Sequence, residues 1–265
     1  LTLASREDLL KDVRPDVCIF GIPAWNPPYH DFKVWFERVM KSEGRFNLAL
    51  CLANAHTLNI AYSQPSYRNC LRSMDAVLND GIGFRLASQM RGVPIQYNFN
   101  GTDLIPRLFE ELDYPLRVFF YGATEESNAG AVRVMASRYS FLDCVGNLGG
   151  YVSDDDAAKM IAESQSDLVL VAKGNPKQEL FIMKYRDQLN CKLAIGVGGL
   201  FDFLSGMKPR APKAFRSIGM EWAYRLMIEP RRMFGRYVIG NPVFLTRALL
   251  TLRKDTASLK SQQGR

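Results

Sequence analysis

Asp80 stands in the stretch LNDGIGF, where an apolar run ends and Gly81 and Gly83 follow. A carboxylate at a strand end, beside glycines that let a ligand approach the backbone, has the makings of a general base. An Asp that only accepts the hydrogen bonds of a turn fits the same spacing. Asn54, His56 and Thr57, in LANAHTLN, also follow an apolar run and bring donors and acceptors to one point of the chain. His56 lacks Ser and Asp partners at a spacing that would make a nucleophilic triad. In NGTDLIPRLFEEL, Thr102 or Asp103 either caps the helix that follows or meets a ligand.

Further along, GNPKQE, from Gly174 to Glu179, separates an apolar run from a helical pattern. It makes either an ordinary strand-to-helix turn or a loop from which Gln178 and Glu179 address a ligand's polar groups. The glycines of GVGG, Gly198 and Gly199 among them, permit close approach to backbone N–H groups, and tight packing of strand on helix explains them as well. Asp202 lies between Phe201 and Phe203 and needs a partner if buried. Arg225 has Glu221 and Glu229 four residues to either side, and Arg232 and Arg236 continue beyond Pro230. These arginines form either surface ion pairs, worth about 0.3–0.5 kcal/mol each, or a group that grips phosphate.

Short apolar runs place these residues. From Phe46 onward FNLALCLA, DAVLND, LRVFFYG, FLDCVG, DLVLVAK and KLAIGVGG alternate with helical periods. Strands buried on both faces with helices between them predict an α/β fold, Rossmann-like, with a mostly parallel sheet flanked by helices. Ligands of such sheets sit beyond the carboxyl ends of the strands. Asn54, Asp80, Gly122, residues 174–179 and residues 198–202 are therefore expected to face one crevice. Neither GxGxxG nor GxxxxGK[ST] occurs, which removes the usual nicotinamide and P-loop signatures. A sugar-nucleotide-modifying or nicotinamide enzyme on the same kind of sheet remains a further reading. Residues 1–204 are expected to form the α/β unit, and residues 205–265 a basic, amphipathic, helical appendage. Within the appendage the pattern predicts a helix from Lys213 up to Pro230 and a boundary at Asn241-Pro242.

Hydrophobic content of 47% and charged content of 23% over 265 residues exclude wholesale disorder and fibrous repeats. Cys18, Cys51, Cys70, Cys144 and Cys191 are widely spaced with no CxxC pair, which argues against a disulfide scaffold or a zinc site, and two histidines supply no metal cluster. No run of 18 apolar residues occurs, so membrane contact is expected to be peripheral. The net charge of +7 resides in the appendage: thirteen Lys and Arg against Glu221, Glu229 and Asp255 give +10 from Ser205 onward and leave −3 before it. Nucleic acid, anionic lipid or phosphorylated substrates each suit that asymmetry. A nucleic-acid reading finds no zinc-finger or RNA-binding signature to support it.

Taken together, LANAHTLN, NDGIG, NGTDL, FYG, GNPKQE, GVGGLFDFLSG, KPRAP and GMEWAYRLMIEPRR, in order from about Cys18 to Tyr237, resemble the WecG/TagA/CpsF family of bacterial glycosyltransferases, glycosyltransferase family 26. The resemblance implies an inverting enzyme that moves a sugar from a UDP-sugar donor to a polyprenyl-diphosphate-linked sugar acceptor. It further implies a peripheral protein on the cytoplasmic side of the bacterial inner membrane, resting on an anionic surface, with no tightly bound cofactor, no metal, no nucleic acid and a homo-oligomeric assembly as one option.

By the same resemblance Asp80 is the base, and Asn54 with the Gly101-Thr102-Asp103 turn lines the active or acceptor site. Gly122, Gln178, Glu179, Gly198, Gly199 and Asp202 fall on the nucleotide-sugar side. Arg210, Arg225 and Arg232 match basic positions of an appendage that closes over the site, with Arg236 beside them. This chain departs at Gly235, where relatives often carry a basic residue, and at Leu52, where some carry Thr. The wording NAHTLN is closer to the branch of xanthan-type exopolysaccharide assembly, which implies UDP-glucose as donor and glucosyl-diphosphoundecaprenol as acceptor. Transfer of N-acetylmannosamine, or its uronate, to N-acetylglucosaminyl-diphosphoundecaprenol is the alternative.

Overall fold

The computed structural model describes residues 5–212, 214–215 and 219–263. β1 (Pro15–Ile19) and β2 (Ile22–Trp25) pair as an antiparallel hairpin. β3 (Leu48–Ala53), β4 (Ala76–Asn79), β5 (Leu116–Gly122), β6 (Leu142–Leu148), β7 (Leu168–Ala172) and β8 (Leu193–Gly196) form a second sheet in the order β4-β3-β8-β7-β5-β6. Every pairing in that sheet is parallel. The expected α/β architecture is thus the observed one.

Side-chain alternation explains why β3, β7 and β8 are apolar throughout. In β3, Leu48, Leu50 and Leu52 enter one buried cluster while Ala49, Cys51 and Ala53 enter another on the opposite face. β7 divides the same way, Leu168 and Leu170 against Val169 and Val171, and so does β5, Val118 and Phe120 against Phe119 and Tyr121. A period of two with both faces covered leaves no interior position for a polar side chain. Polar residues therefore gather where strands end: Asn54 after β3, Asp80 after β4 and Lys173 after β7.

The strand pattern read from sequence begins at Phe46, so the hairpin before it is an addition made by the structure. Its turn residues Phe20 and Gly21 take positive φ, 57° and 76°, the two-residue form whose twist suits a hairpin. Phe-Gly lacks the Asn or Asp that usually marks such a turn, which hides it in the sequence.

The appendage also differs from expectation. A helix is observed at Glu221–Ile228, while Lys213 and residues 216–218 of the expected helix lie outside the described residues. Beyond it Pro230–Phe234, a π turn at Gly235–Ile239 and the helix Gly240–Gln263 follow without a break. The expected boundary at Pro242 is absent. Proline lacks an N–H and crowds the carbonyl four residues back. That carbonyl belongs to Val238, inside a π turn in which the Gly240 N–H reaches the Gly235 carbonyl five residues back, a departure from the α-helical geometry in which the clash arises.

The final helix returns to the α/β unit. Phe244 and Ala248 are fully buried, and the Phe244 ring meets Phe20 edge-on at 5.6 Å. Asn59 donates to the Gly240 carbonyl (2.7 Å), and Arg247 donates to the Asn59 amide oxygen (3.1 Å). Arg91 and Asp255 form an ion pair with side chains 3% and 4% exposed, and Asp255 also accepts the Gly21 N–H at 3.0 Å. None of the described helices is long and apolar enough to cross a membrane.

Replacing Asp255 with Ala would leave Arg91 as a buried charge without its counterion. Unfolding in urea is expected to show a loss of about 3 kcal/mol, and the double variant Arg91→Met/Asp255→Leu should recover most of it. A single variant as stable as the parent would show that the pair does not anchor the helix.

Candidate active site

Asp80 occupies the N-cap position of the helix Gly81–Met90, yet its side chain makes no capping hydrogen bond. The Gly81 N–H is taken instead by the Asn98 side-chain oxygen at 2.7 Å. The turn reading of Asp80 is therefore not what its carboxylate does. Oδ2 accepts from Asn54 Nδ2 at 3.1 Å.

Asn54 uses both ends of its amide. Its Oδ1 caps the helix Ala55–Ser63 by accepting the N–H groups of His56 and Thr57, each at 3.1 Å, and the Thr57 hydroxyl at 3.2 Å. Those bonds fix the amide plane and leave Nδ2 directed at Asp80. The two helices must approach closely for this to happen, and Gly83 permits it: a Cβ there would stand 2.8 Å from that of Ala55. Burial pushes the Asp80 carboxyl above the ordinary carboxylate range, with Glu221 adding to the effect. The Asn54 bond and the positive charges of Arg236 and Arg225 oppose it. A desolvated carboxylate with a raised pKa and a fixed orientation is suited to accept a proton.

The cations that act on Asp80 come from the appendage. Arg225, on the helix Glu221–Ile228, lies over the Phe203 ring at 4.7 Å, and its guanidinium is 3.4 Å from where a side chain at Gly199 would begin. Arg236, in the π turn, is largely buried, and its Nε has no hydrogen-bond partner among the described residues. Burial and the Arg236 charge lower the His56 pKa to about 4, so the imidazole is neutral at physiological pH and its backbone, not its ring, is engaged by Asn54. Asn100 Nδ2 reaches Glu221 at 3.4 Å, a further bond between the α/β unit and the appendage. Arg232 is exposed and pairs with Glu229 at 3.2 Å.

Other candidates fall into neighbouring groups. Thr102 and Asp103 are not the cap of their helix, because Asn100 precedes Gly101–Glu110 and its Oδ1 accepts the Thr102 N–H at 3.0 Å. Asn100 was legible as a polar residue just ahead of a helical pattern. Asp103 is thereby released to pair with Arg210 at 2.6 Å. Thr102, Asp103, Phe203 and Arg210 line a cavity of about 680 Å³ that does not include Asp80. Asp202 has the partners that its position between two aromatics demands: Ser127 donates to Oδ1 at 2.8 Å and Lys208 pairs with Oδ2 at 2.7 Å. Burial alone would raise its pKa, but those two bonds hold it below the ordinary range.

Gly122 ends β5 against β7, where a Cβ would fall 2.5 Å from the Ala172 backbone, so close strand packing accounts for it. Gln178 and Glu179 point inward, 2% and 0% exposed. Gln178 Oε1 accepts the Gly198 N–H at 3.0 Å, and Glu179 accepts from Tyr67, Asn175 and Gln178. As placed, these two side chains hold the loops at the ends of β7 and β8 and do not face the crevice. Tyr67, Asn98, Ser127 and Lys208 join the site's framework, and no local pattern in the sequence marks them.

A model of the family described as "Glycosyl transferase WecG/TagA/CpsF family" matches residues 17–258. Similar proteins include one of Bacillus spizizenii, 38% identical over 76% of this chain and 77% of its own. One of Bacillus subtilis is 32% identical over 81% and 84%, and one of Staphylococcus aureus is 30% identical over 78% and 82%. All three carry the name N-acetylglucosaminyldiphosphoundecaprenol N-acetyl-beta-D-mannosaminyltransferase.

Asn54→Ala removes a helix cap and the hydrogen bond that, among the described residues, favours the charged form of Asp80. The expected outcome is a stability loss of about 1 kcal/mol and an Asp80 pKa higher than in the parent, read from carboxyl-carbon NMR titration. An unchanged Asp80 titration would show that the Asn54 contact does not act on the carboxylate.

Proposed function

The chain belongs to the WecG/TagA/CpsF family of glycosyltransferases, and we propose that it transfers N-acetylmannosamine from its UDP derivative to N-acetylglucosaminyl-diphosphoundecaprenol, inverting the anomeric centre. Membership makes it a glycosyl-transferring enzyme. The choice of donor and acceptor draws support from the names of the similar Bacillus and Staphylococcus proteins. UDP-glucose with a glucosyl-diphospholipid acceptor is the second reading, motivated by NAHTLN.

The observation that carries the proposal is the Asp80–Asn54 pair beneath two arginines of the appendage. Asp80 accepts the proton of the acceptor hydroxyl as that oxygen forms a bond to the anomeric carbon. The bond from the anomeric carbon to the UDP oxygen breaks on the opposite face, its electron pair leaves with UDP, and the product linkage is β. One base is enough, because no glycosyl-enzyme intermediate intervenes. Arg225 and Arg236 supply positive charge where the departing diphosphate develops its own, in a site where burial strengthens the interaction. Arg236 is the better placed of the cations beyond Pro230, being desolvated with an open Nε, whereas Arg232 is exposed and already paired.

The appendage also carries Met227, Ile228, Phe234, Val238 and Ile239 as exposed apolar side chains near the exposed Arg231 and Arg232. Apolar insertion combined with attraction to anionic headgroups is the chemistry of a peripheral membrane contact, and it brings a lipid-linked acceptor to the site. A nucleic-acid role draws little support from that mixture, in which Met227, Ile228, Val238 and Ile239 are not aromatic and Phe234 alone of the five offers a stacking face.

A panel of UDP-N-acetylmannosamine and UDP-glucose against synthetic N-acetylglucosaminyl- and glucosyl-diphospholipids tests the substrate assignment, with turnover expected only for the first donor and first acceptor. Asp80→Asn is expected to lower kcat by roughly a thousandfold while the thermal midpoint stays within a few degrees. Turnover that survives in a folded Asp80→Asn protein would remove Asp80 as the base.

A further inference from the structure

Glu179 has none of its surface exposed, and among the described residues its carboxylate is met by neutral groups only. Oε2 accepts from the Tyr67 hydroxyl at 2.8 Å, and Oε1 from Asn175 Nδ2 at 2.7 Å and Gln178 Nε2 at 2.6 Å, with the Cys51 thiol at 3.9 Å. These partners come from the helix Pro65–Arg72, from the loop after β7, from the first turn of the helix Lys177–Tyr185 and from β3. A buried carboxylate without a counterion is costly, and a hydrophobic residue of similar size would spare the fold that cost.

What the carboxylate holds is the Gln178 amide. Its nitrogen end is bound to Glu179, and its oxygen end accepts the Gly198 N–H at 3.0 Å. The amide fills the space beside Gly196, where an added Cβ would fall 2.6 Å from Gln178 Nε2. Gly198 takes φ +57°, and Gly199 follows directly beneath Arg225. A line of bonds thus runs from a buried charge to the turn that lies under an appendage arginine.

We propose that Glu179 is a positioning residue for the donor: its ionised carboxylate orients the Gln178 amide, which fixes the Val197–Gly199 turn against Arg225 so that backbone and guanidinium together receive the donor's diphosphate. This role rests on the UDP-sugar reading given above, and it assigns Glu179 no contact with the sugar or the nucleotide.

Burial raises the Glu179 pKa to about 7, against hydrogen bonds from Gln178, Tyr67 and Asn175 that favour its charge. The other titratable groups facing it, Cys51, Cys70 and Tyr67, are all pushed upward by burial and stay neutral. Glu179 is therefore the member of the cluster that changes charge near neutrality. Because its pKa in the fold lies above the ordinary 4.5, its protonated form favours the fold, and that stability is lost as pH rises from about 4.5 through about 7. Positioning works in the opposite direction, since protonation removes the charge that holds the Gln178 amide.

The test compares the parent with Glu179→Gln and Gln178→Met, measuring UDP affinity by calorimetry at pH 6 and pH 8 and the protection of the Gly198 amide from hydrogen exchange by NMR. At pH 8 Glu179→Gln is expected to bind UDP about tenfold more weakly and to lose Gly198 protection. At pH 6 the ratio of parent to variant affinity should approach one, and taking the ratio cancels the ionisation of UDP itself. Gln178→Met should reproduce both losses with Glu179 intact, which separates the relay from a general effect on folding. Equal UDP affinities at pH 8 with unchanged Gly198 protection would overturn the inference. If the parent protein does not bind UDP, the donor reading fails by itself, and Gly198 protection still decides whether Glu179 positions the turn.

Discussion

A sheet covered on both faces has no place for polar side chains except where its strands end, and the rest of this structure follows from that constraint. β3, β7 and β8 are buried at every position. The groups that the sheet itself offers to a ligand are consequently those at the strand exits, Asn54, Asp80 and the Gly198 turn among them, and the appendage adds Arg225 and Arg236. Parallel pairing brings these exits to one edge, so residues far apart in sequence meet without any local motif to announce them.

At that edge, capping groups also organise the site. A helix leaves several N–H groups unsatisfied at its start, and polar side chains collect there to accept them. Asn54 performs this duty for one helix with its oxygen and holds Asp80 with its nitrogen. Asn100 does so for another helix and reaches Glu221 of the appendage. Asp80 stands at a cap position but is relieved of capping by Asn98, which leaves the carboxylate available. Glu179 extends the same economy below the surface, where a buried charge is tied to a backbone turn through one amide.

The appendage is held by burial as well as by charge. Phe244 and Ala248 enter the core cluster on one face of the sheet, and the Arg91–Asp255 pair fixes the far end of the same helix. With that helix anchored, the π turn before it sets the direction of Arg236 toward Asp80 and His56. Arg232, four residues earlier, remains in solvent with Glu229. Two arginines in one basic run therefore have different physical situations, a distinction that a count of charges cannot make.

The sequence by itself determined the sheet, because six apolar runs of strand length, spaced by helical periods, have few other ways to be buried. It determined that Asp80 and Asn54 follow strands, and hence that both lie at the carboxyl edge, and the resemblance carried by eight ordered motifs led to the family. It did not disclose the Phe20-Gly21 hairpin, whose turn lacks the usual residues, or the passage of a helix through Pro242, which depends on a π turn that no local propensity specifies. Only the tertiary structure decided that Asp103 pairs with Arg210, that Asp202 is satisfied by Ser127 and Lys208, and that Gln178 and Glu179 turn inward. The physical reason is common to all of these. Backbone periodicity is a local property and is written in consecutive residues, whereas the partner of a buried polar group is whichever side chain the packing of distant elements brings within hydrogen-bond reach.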